Sequence, residues 1–136
     1  MNFDRVKERL RKAEGLRLKP YVCPAGKLTI GYGRNIQDKG ISIGEAEYLL
    51  DNDVKNAYKE LKQNLPWVEN LSENRQIVLL DMCFNLGMTG LLGFKHTLSL
   101  IEKGDYLKAS QEMLKSKWAK QVGKRAVELS DLMRLG

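Results

Sequence analysis

The amino-acid sequence predicts a mostly helical α+β fold, in which a small N-terminal antiparallel sheet and a helical C-terminal lobe are joined by a long connecting helix. Three observations carry this reading. Apolar residues recur at helical spacing through most of the 136 residues, but the short stretch "KLTIGYG" alternates instead. Ser42 followed by Glu45 is a capping-box pattern, and it opens a run of Ala46, Leu50, Val54, Ala57 and Leu61 that reads as one long helix. The run "IVLLDMCFNL" is apolar nearly all round, as a helix in the middle of a core must be. With 43% hydrophobic residues and both charge signs interspersed, the chain is globular and long enough to bury a core.

Taken in order, Phe3, Val6, Leu10 and Ala13 recur at helical spacing and Gly15 is a natural C-terminal stop, which places Glu14 in the last turn. The turn "CPAG" suits a hairpin. In the strand after it Leu28, Ile30 and Tyr32 face one way and Lys27, Thr29 and Gly31 the other. Pro66 ends the long helix, and Ser72 is the N-cap of the apolar one. Gly87, Gly90 and Gly93 punctuate the next stretch, leading to helices near residues 97–103 and 106–122 and a last one from Lys124. The expected organisation is a small α+β lobe of about residues 12–45. A helical lobe of about residues 62–136 takes in the N-terminal helix, residues 1–11, and a cleft lies between the two lobes.

A net charge of +6 and a pI near 9.3 favour polyanions. Nucleic acid, anionic lipid and bacterial envelope polymers all qualify, and a solvated basic surface is the plain alternative. Nucleic acid has the least support, since there is no recognisable motif and no basic helix unbroken by acids. Two cysteines sixty residues apart and the single His96 make no metal-ligand set, and free thiols are expected rather than a Cys23–Cys83 disulfide. The N-terminal "MNFDRVKERLRKAEG" alternates charged and apolar residues, unlike a signal peptide or a membrane anchor.

Chemistry concentrates in residues 14–33. Glu14 is the last acid before Asp38. At the negative end of a helix, and shielded from water, its carboxyl would hold its proton as a general acid requires. A solvated glutamate is the plain alternative. Thr29 offers its hydroxyl from the strand face opposite Leu28 and Ile30, although ordinary strand propensity also explains a threonine there. Cys23 can serve as base or nucleophile only as thiolate, and Lys19, Lys27 and Arg34 are close enough in sequence to favour that form if they converge. The basic set Lys19, Lys27, Arg34 and Arg125 otherwise pairs with Glu14, holds an anionic substrate or simply solubilises. Phe84, Asn85, Phe94 and Trp118 are core or a sugar-gripping set.

Glu14, eight residues, Cys23, five residues, Thr29 resembles the catalytic pattern of the phage-type lysozyme family, in which the middle position is Asp or Cys. "EGLRLKPY" and "TIGYG" resemble the segments flanking that triad in the T-even branch of the family. "ISIGEAEYLLDNDV" resembles the start of its interdomain helix, "MCFNLGMTGLLGF" its buried helix and following loop, and "KSKWAKQVGKRA" its C-terminal cleft segment. The matches cover most of the chain in order.

The resemblance implies a two-lobed lysozyme-like endolysin that cleaves the β-1,4 bond between N-acetylmuramic acid and N-acetylglucosamine in peptidoglycan, with neither metal nor cofactor. It makes Glu14 the general acid, Cys23 the second catalytic group, and Thr29 the residue that places water or sugar. Asn35, Phe84 and Thr97 align with substrate contacts, Asn35 and Thr97 being of other residue types than the T-even branch carries. Arg125 matches an arginine that pairs with the catalytic glutamate, and Arg34 replaces a histidine of the same network. The two arginines would lower the Glu14 value, against the helix end and burial. The segment from Gly33 to Ser42 is shorter than in the T-even branch, trimming one cleft wall. The resemblance further implies a monomer that waits in the host cytoplasm until a holin-type pore opens, then acts on the wall from the periplasm. The alternative from another class is a non-catalytic cell-wall or nucleic-acid binding protein on the same scaffold.

Overall fold

The structure, a computed structural model, describes all of residues 1–136. It divides into two compact units, Met1–Tyr48 and Leu49–Gly136. Residues 1–11, expected with the helical lobe, fall here in the first unit.

The first unit opens with α1, Phe3–Glu14. Asn2 starts it by accepting the Arg5 N–H at 3.1 Å, and Gly15 stops it with φ of 70° and an N–H bonded to the Arg11 carbonyl at 3.0 Å. Strands β1 (Arg17–Val22), β2 (Leu28–Gly31) and β3 (Arg34–Asn35) form an antiparallel sheet in that order. Tyr21 lies opposite Thr29 on one side of β2 and Asn35 opposite it on the other, with an irregularity in β1 between Arg17 and Tyr21. The β1–β2 turn closes through Gly26 N–H to the Cys23 carbonyl at 2.8 Å and Cys23 N–H to the Lys27 carbonyl at 2.9 Å. Gly26 takes φ of +80° there, as a bulged hairpin requires.

A one-turn helix, α2 (Ile36–Lys39), comes next, and periodicity gives no sign of it. Side chains make it. Asn35 Oδ1 accepts the Asp38 N–H at 3.0 Å, Gln37 Oε1 accepts the Leu28 N–H at 3.0 Å, and Lys27 pairs with Asp38 at 3.3 Å. These contacts tie residues 35–38 to the start of β2. Thr29, 3% exposed, is the one buried residue of this unit, while Leu28 is 45% exposed. The alternation is as expected, but the buried side is the threonine's. It occupies the central strand, and its hydroxyl donates to the Lys27 carbonyl at 2.9 Å, so burying it leaves no polar group unpaired.

Helix α3, Ile43–Asn64, begins with the expected reciprocal box: Glu45 N–H to Ser42 Oγ at 3.1 Å, and Ser42 N–H to Glu45 Oε1 at 2.8 Å. The boundary between the units falls within α3, after Tyr48.

The second unit holds the hydrophobic core. After a 3₁₀ turn at Pro66–Asn70, α4 (Glu73–Leu92) contributes Val78, Leu79, Met82, Cys83 and Leu91, all buried. Ser72 caps it as expected, accepting the Arg75 N–H. Inside α4, Gly87 breaks the helical path with φ 76° and ψ 163°, a conformation open to glycine. Helices α5 (Lys95–Glu102), α6 (Tyr106–Lys115), α7 (Lys117–Val122) and α8 (Lys124–Leu135) surround α4's core face with Ile101, Met113, Trp118 and Met133. Residues 106–122 are two helices rather than the single one expected. Ser116 Oγ donates to the Met113 carbonyl at 2.7 Å and accepts the Ala119 N–H at 3.1 Å, closing one helix and opening the next. Arg75 secures the end of α8 by donating to the carbonyls of Met133 (2.8 Å) and Arg134 (3.2 Å) while its guanidinium stacks 3.5 Å from the Tyr106 ring. No single helix is long and apolar enough to cross a membrane.

Candidate active site

In the first unit, Glu14 leaves the last turn of α1 and its carboxylate occupies the space that a side chain at Gly33, in the β2–β3 turn, would fill. A Cβ added to Gly33 would stand 2.6 Å from Glu14 Oε2 and 2.8 Å from Cδ. Gly33 also has φ of +73°. Glycine is therefore needed on two counts, one conformational and one for the close approach.

Cys23 follows β1 at the hairpin turn, half-buried and with a free thiol. Its pKa is lowered from the ordinary value. The Lys27 backbone N–H is the main cause, then the Thr29 hydroxyl; burial opposes, and the N–H groups of Ala25 and Cys23 itself add smaller shares. Hydrogen bonds thus produce the effect that the sequence assigns to the charges of Lys19, Lys27 and Arg34. The Lys27 ammonium is engaged by Asp38 and the Arg34 guanidinium by Glu45. The Thr29 hydroxyl itself donates to the Lys27 carbonyl at 2.9 Å.

Asn35 faces Thr29 across the sheet but uses its amide locally, donating Nδ2 to Asp38 Oδ2 at 2.9 Å. Arg34, paired with Ile30 in the sheet, donates Nη2 to Glu45 Oε2 at 2.5 Å and Nη1 to the Gly40 carbonyl at 3.1 Å. Glu45 is held below the usual carboxylate range by the Ser42 N–H, then the Ser42 hydroxyl, against a smaller desolvation and with help from Arg34.

In the second unit, Phe84 stands half-exposed on α4 in a groove shared with Leu50, Val54, Ile77 and Leu80 and edged by Asp81 and Arg125. Arg125 of α8 reaches α4, placing Nε 2.8 Å and Nη2 2.6 Å from the same oxygen of Asp81. Asn85 accepts the Trp118 indole N–H at 3.0 Å, and Trp118 meets Phe94 edge-on with ring centroids 6.1 Å apart. Thr97 lies in the first turn of α5 and is buried. Cys83 is buried too, and desolvation, with Glu60 adding, pushes its thiol up.

The predicted residues fall into small sets: Glu14 with Gly33, Cys23 with Thr29, which lies opposite Asn35, and Phe84 beside Arg125. Three members escape a reading of the sequence for catalytic groups. Asp81 is detectable as the lone acid in an apolar run, where an ionised group needs a partner. Glu45 reads as a cap, which uses only one of its two oxygens. Gly33 reads as strand punctuation. The donor set offers a carboxyl for proton donation, a sulfur tuned toward thiolate, and a hydroxyl that can hold water.

Comparison with known proteins gives a concordant result. The family model described as Phage lysozyme matches residues 11–134. An endolysin of Acyrthosiphon pisum secondary endosymbiont phage 1 is 37% identical over 123 aligned positions, covering 85% of this chain and 80% of that protein. Probable T4-type lysozyme 1 of Dictyostelium discoideum is 26% identical over 160 aligned positions, covering 96% of this chain and 94% of its own. The pre-baseplate central spike protein Gp5 of Enterobacteria phage T4 is 27% identical over 157 positions, 95% of this chain but 27% of that longer protein.

Proposed function

The chain belongs to the phage lysozyme family, and from that premise we propose that it is an endolysin that cleaves the β-1,4 bond between N-acetylmuramic acid and N-acetylglucosamine to lyse a host cell. As a family member it is a glycoside hydrolase of the lysozyme type, and its substrate is peptidoglycan. In the proposed mechanism Glu14 protonates the leaving glycosidic oxygen. Cys23, as thiolate, serves on the other face of the sugar, either drawing a proton from water or attacking the anomeric carbon. Thr29 orients the water or the sugar. Asn35, Phe84 and Thr97 contact substrate, while Arg34 and Arg125 act as supporting residues through their pairs with Glu45 and Asp81. The observation that supports this reading is the family match over residues 11–134, with the lowered Cys23 thiol beside it. The Lys27 N–H and the Thr29 hydroxyl stabilise the Cys23 anion where both proposed roles need it.

The enzyme works as a monomer, stays in the host cytoplasm until a holin-type pore releases it, and needs no metal or cofactor. Digestion of defined peptidoglycan, with the new reducing ends identified by mass spectrometry, tests the proposal. Muramic acid at the new ends supports it, and glucosamine ends or peptide cleavage refute it.

A further inference from the structure

We infer that Asp81 is a positioning residue for the proposed reaction: it holds one edge of the Arg125 guanidinium and so presents the other edge to a sugar lying in the Phe84 groove. The inference rests on the reading of the chain as a peptidoglycan hydrolase, and every group it uses lies in the second unit. Asp81 is the one charged residue of the apolar run "IVLLDMCFNL". Its neighbours Leu79 and Met82 are each 1% exposed, so the core fixes the backbone from which this short side chain extends. Ile77, Asp81 and Phe84 follow one another at spacings of four and three along α4, which puts them on one face, and all three line the groove.

Arg125 is set as firmly, on a helix that does not favour it. It lies in the first turn of α8 beside Ala126, which is buried. That turn contains no acidic residue, and Gly123 before it offers no side-chain cap, so the positive end of the helix dipole opposes a cation there. Asp81 supplies the missing negative charge from α4. Nε donates at 2.8 Å and Nη2 stands 2.6 Å from the same oxygen. One edge of the guanidinium is thereby occupied, and Nη1 with the second N–H of Nη2 is left for a further acceptor. The two charges offset each other. The groove is therefore edged by an aimed donor with no net charge, beside the Phe84 ring and an apolar lining of Leu50, Val54 and Leu80. Such an edge fits the hydroxyl and acetamido oxygens of an N-acetylated sugar rather than a free carboxylate. Without Asp81, a rotamer-rich arginine keeps its charge but must be ordered when the sugar binds.

The test is the rate of new reducing ends from soluble, uncrosslinked peptidoglycan strands, resolved into kcat and KM. Asp81→Ala is expected to raise KM about fivefold, the scale for ordering one such side chain, and to leave kcat within about twofold. Asp81→Leu, which continues the apolar run, should do the same and reads the effect even if the alanine variant packs poorly. Asp81→Asn keeps an oxygen for the guanidinium and should hold KM close to the wild type. Arg125→Gln should raise KM at least as far as Asp81→Ala does. The two changes combined should go no further than Arg125→Gln alone, because Asp81 acts through the arginine. A purely structural Asp81 would lower the melting temperature with KM unmoved. An unmoved KM, additive effects in the double variant, or a loss confined to kcat overturns the inference, and the last would assign Arg125 to the reacting groups instead. Strands left uncut by the wild type refute the hydrolase reading and this role with it. A wild type that cuts them, with KM unmoved in Asp81→Ala and Asp81→Leu, refutes only the role of Asp81.

Discussion

The Glu14 carboxylate fills the space beside Gly33, so that any side chain at position 33 must displace it. Gly33→Ala tests what that contact is for. The left-handed backbone costs about 1–2 kcal/mol, while the flexible end of Glu14 swings away at little cost. Lysis should therefore fall further than stability. Misplacement of a reacting group by 1 Å is worth up to ~10² in rate. Equal losses in wall clearing and in stability would mean that Glu14 has no function at that seat.

Glu14→Gln is nearly isosteric and cannot donate a proton. The variant should keep its far-ultraviolet dichroism and lose lysis by ~10²–10⁴, the usual worth of general acid assistance. Turbidity clearing of purified walls measures it.

Cys23→Ser and Cys23→Ala should cut activity strongly, and Cys23→Asp should retain much of it. The thiol is lowered at Cys23 and raised at Cys83, so iodoacetamide at neutral pH should modify Cys23 at least about tenfold faster. The same treatment should inactivate the wild type but spare Cys23→Asp. Mass spectrometry of the labelled peptides checks the order of reaction, and full activity in Cys23→Ala would remove the sulfur from the mechanism.

The Glu45 carboxyl is depressed in the folded protein, so its contribution to stability is complete above the unfolded value of about 4.3 and is lost as pH falls through the folded one. In Glu45→Gln that part of the acid sensitivity should be absent. Protection of the amides from Gly40 to Glu45, measured by hydrogen exchange corrected for its intrinsic pH dependence, should decline in acid for the wild type and stay flat, at a lower level, in the variant.

With a net charge of +6, wall clearing should weaken as salt rises, because screening acts over ~10 Å at about 0.1 M. Melting temperature should change little across the same range. Clearing that is indifferent to salt would assign the basic surface to solubility alone.

Features that depend on repetition or on a short code are legible in the sequence. The period of α3, the Ser42–Glu45 box, the Ser72 cap and the "CPAG" turn are local, and each appears where expected. Features that depend on which of several polar partners a side chain selects are not. Helix α2 exists through Asn35 and Gln37, Ser116 divides one periodic run into two helices, and Arg34 and Arg125 go to Glu45 and Asp81. At the proposed site, the spacing of Glu14, Cys23 and Thr29 singles out three residues through the family resemblance, but the main cause of the Cys23 shift is a backbone N–H that no residue type announces.

Thr29 is the one buried residue of Met1–Tyr48, while the hydrophobic core belongs to the second unit. The heat-capacity increment of unfolding and the denaturant m-value both scale with the surface newly exposed, and apolar surface dominates the first. A calorimetric or urea transition of this protein therefore reports almost wholly on Leu49–Gly136. The sheet that carries Glu14's seat, Cys23 and Thr29 can loosen with hardly a trace in either curve. Enzyme that scores as fully folded by those methods can already have lost activity, and the amides of Cys23 and Gly26 are where that silent loss would first be heard.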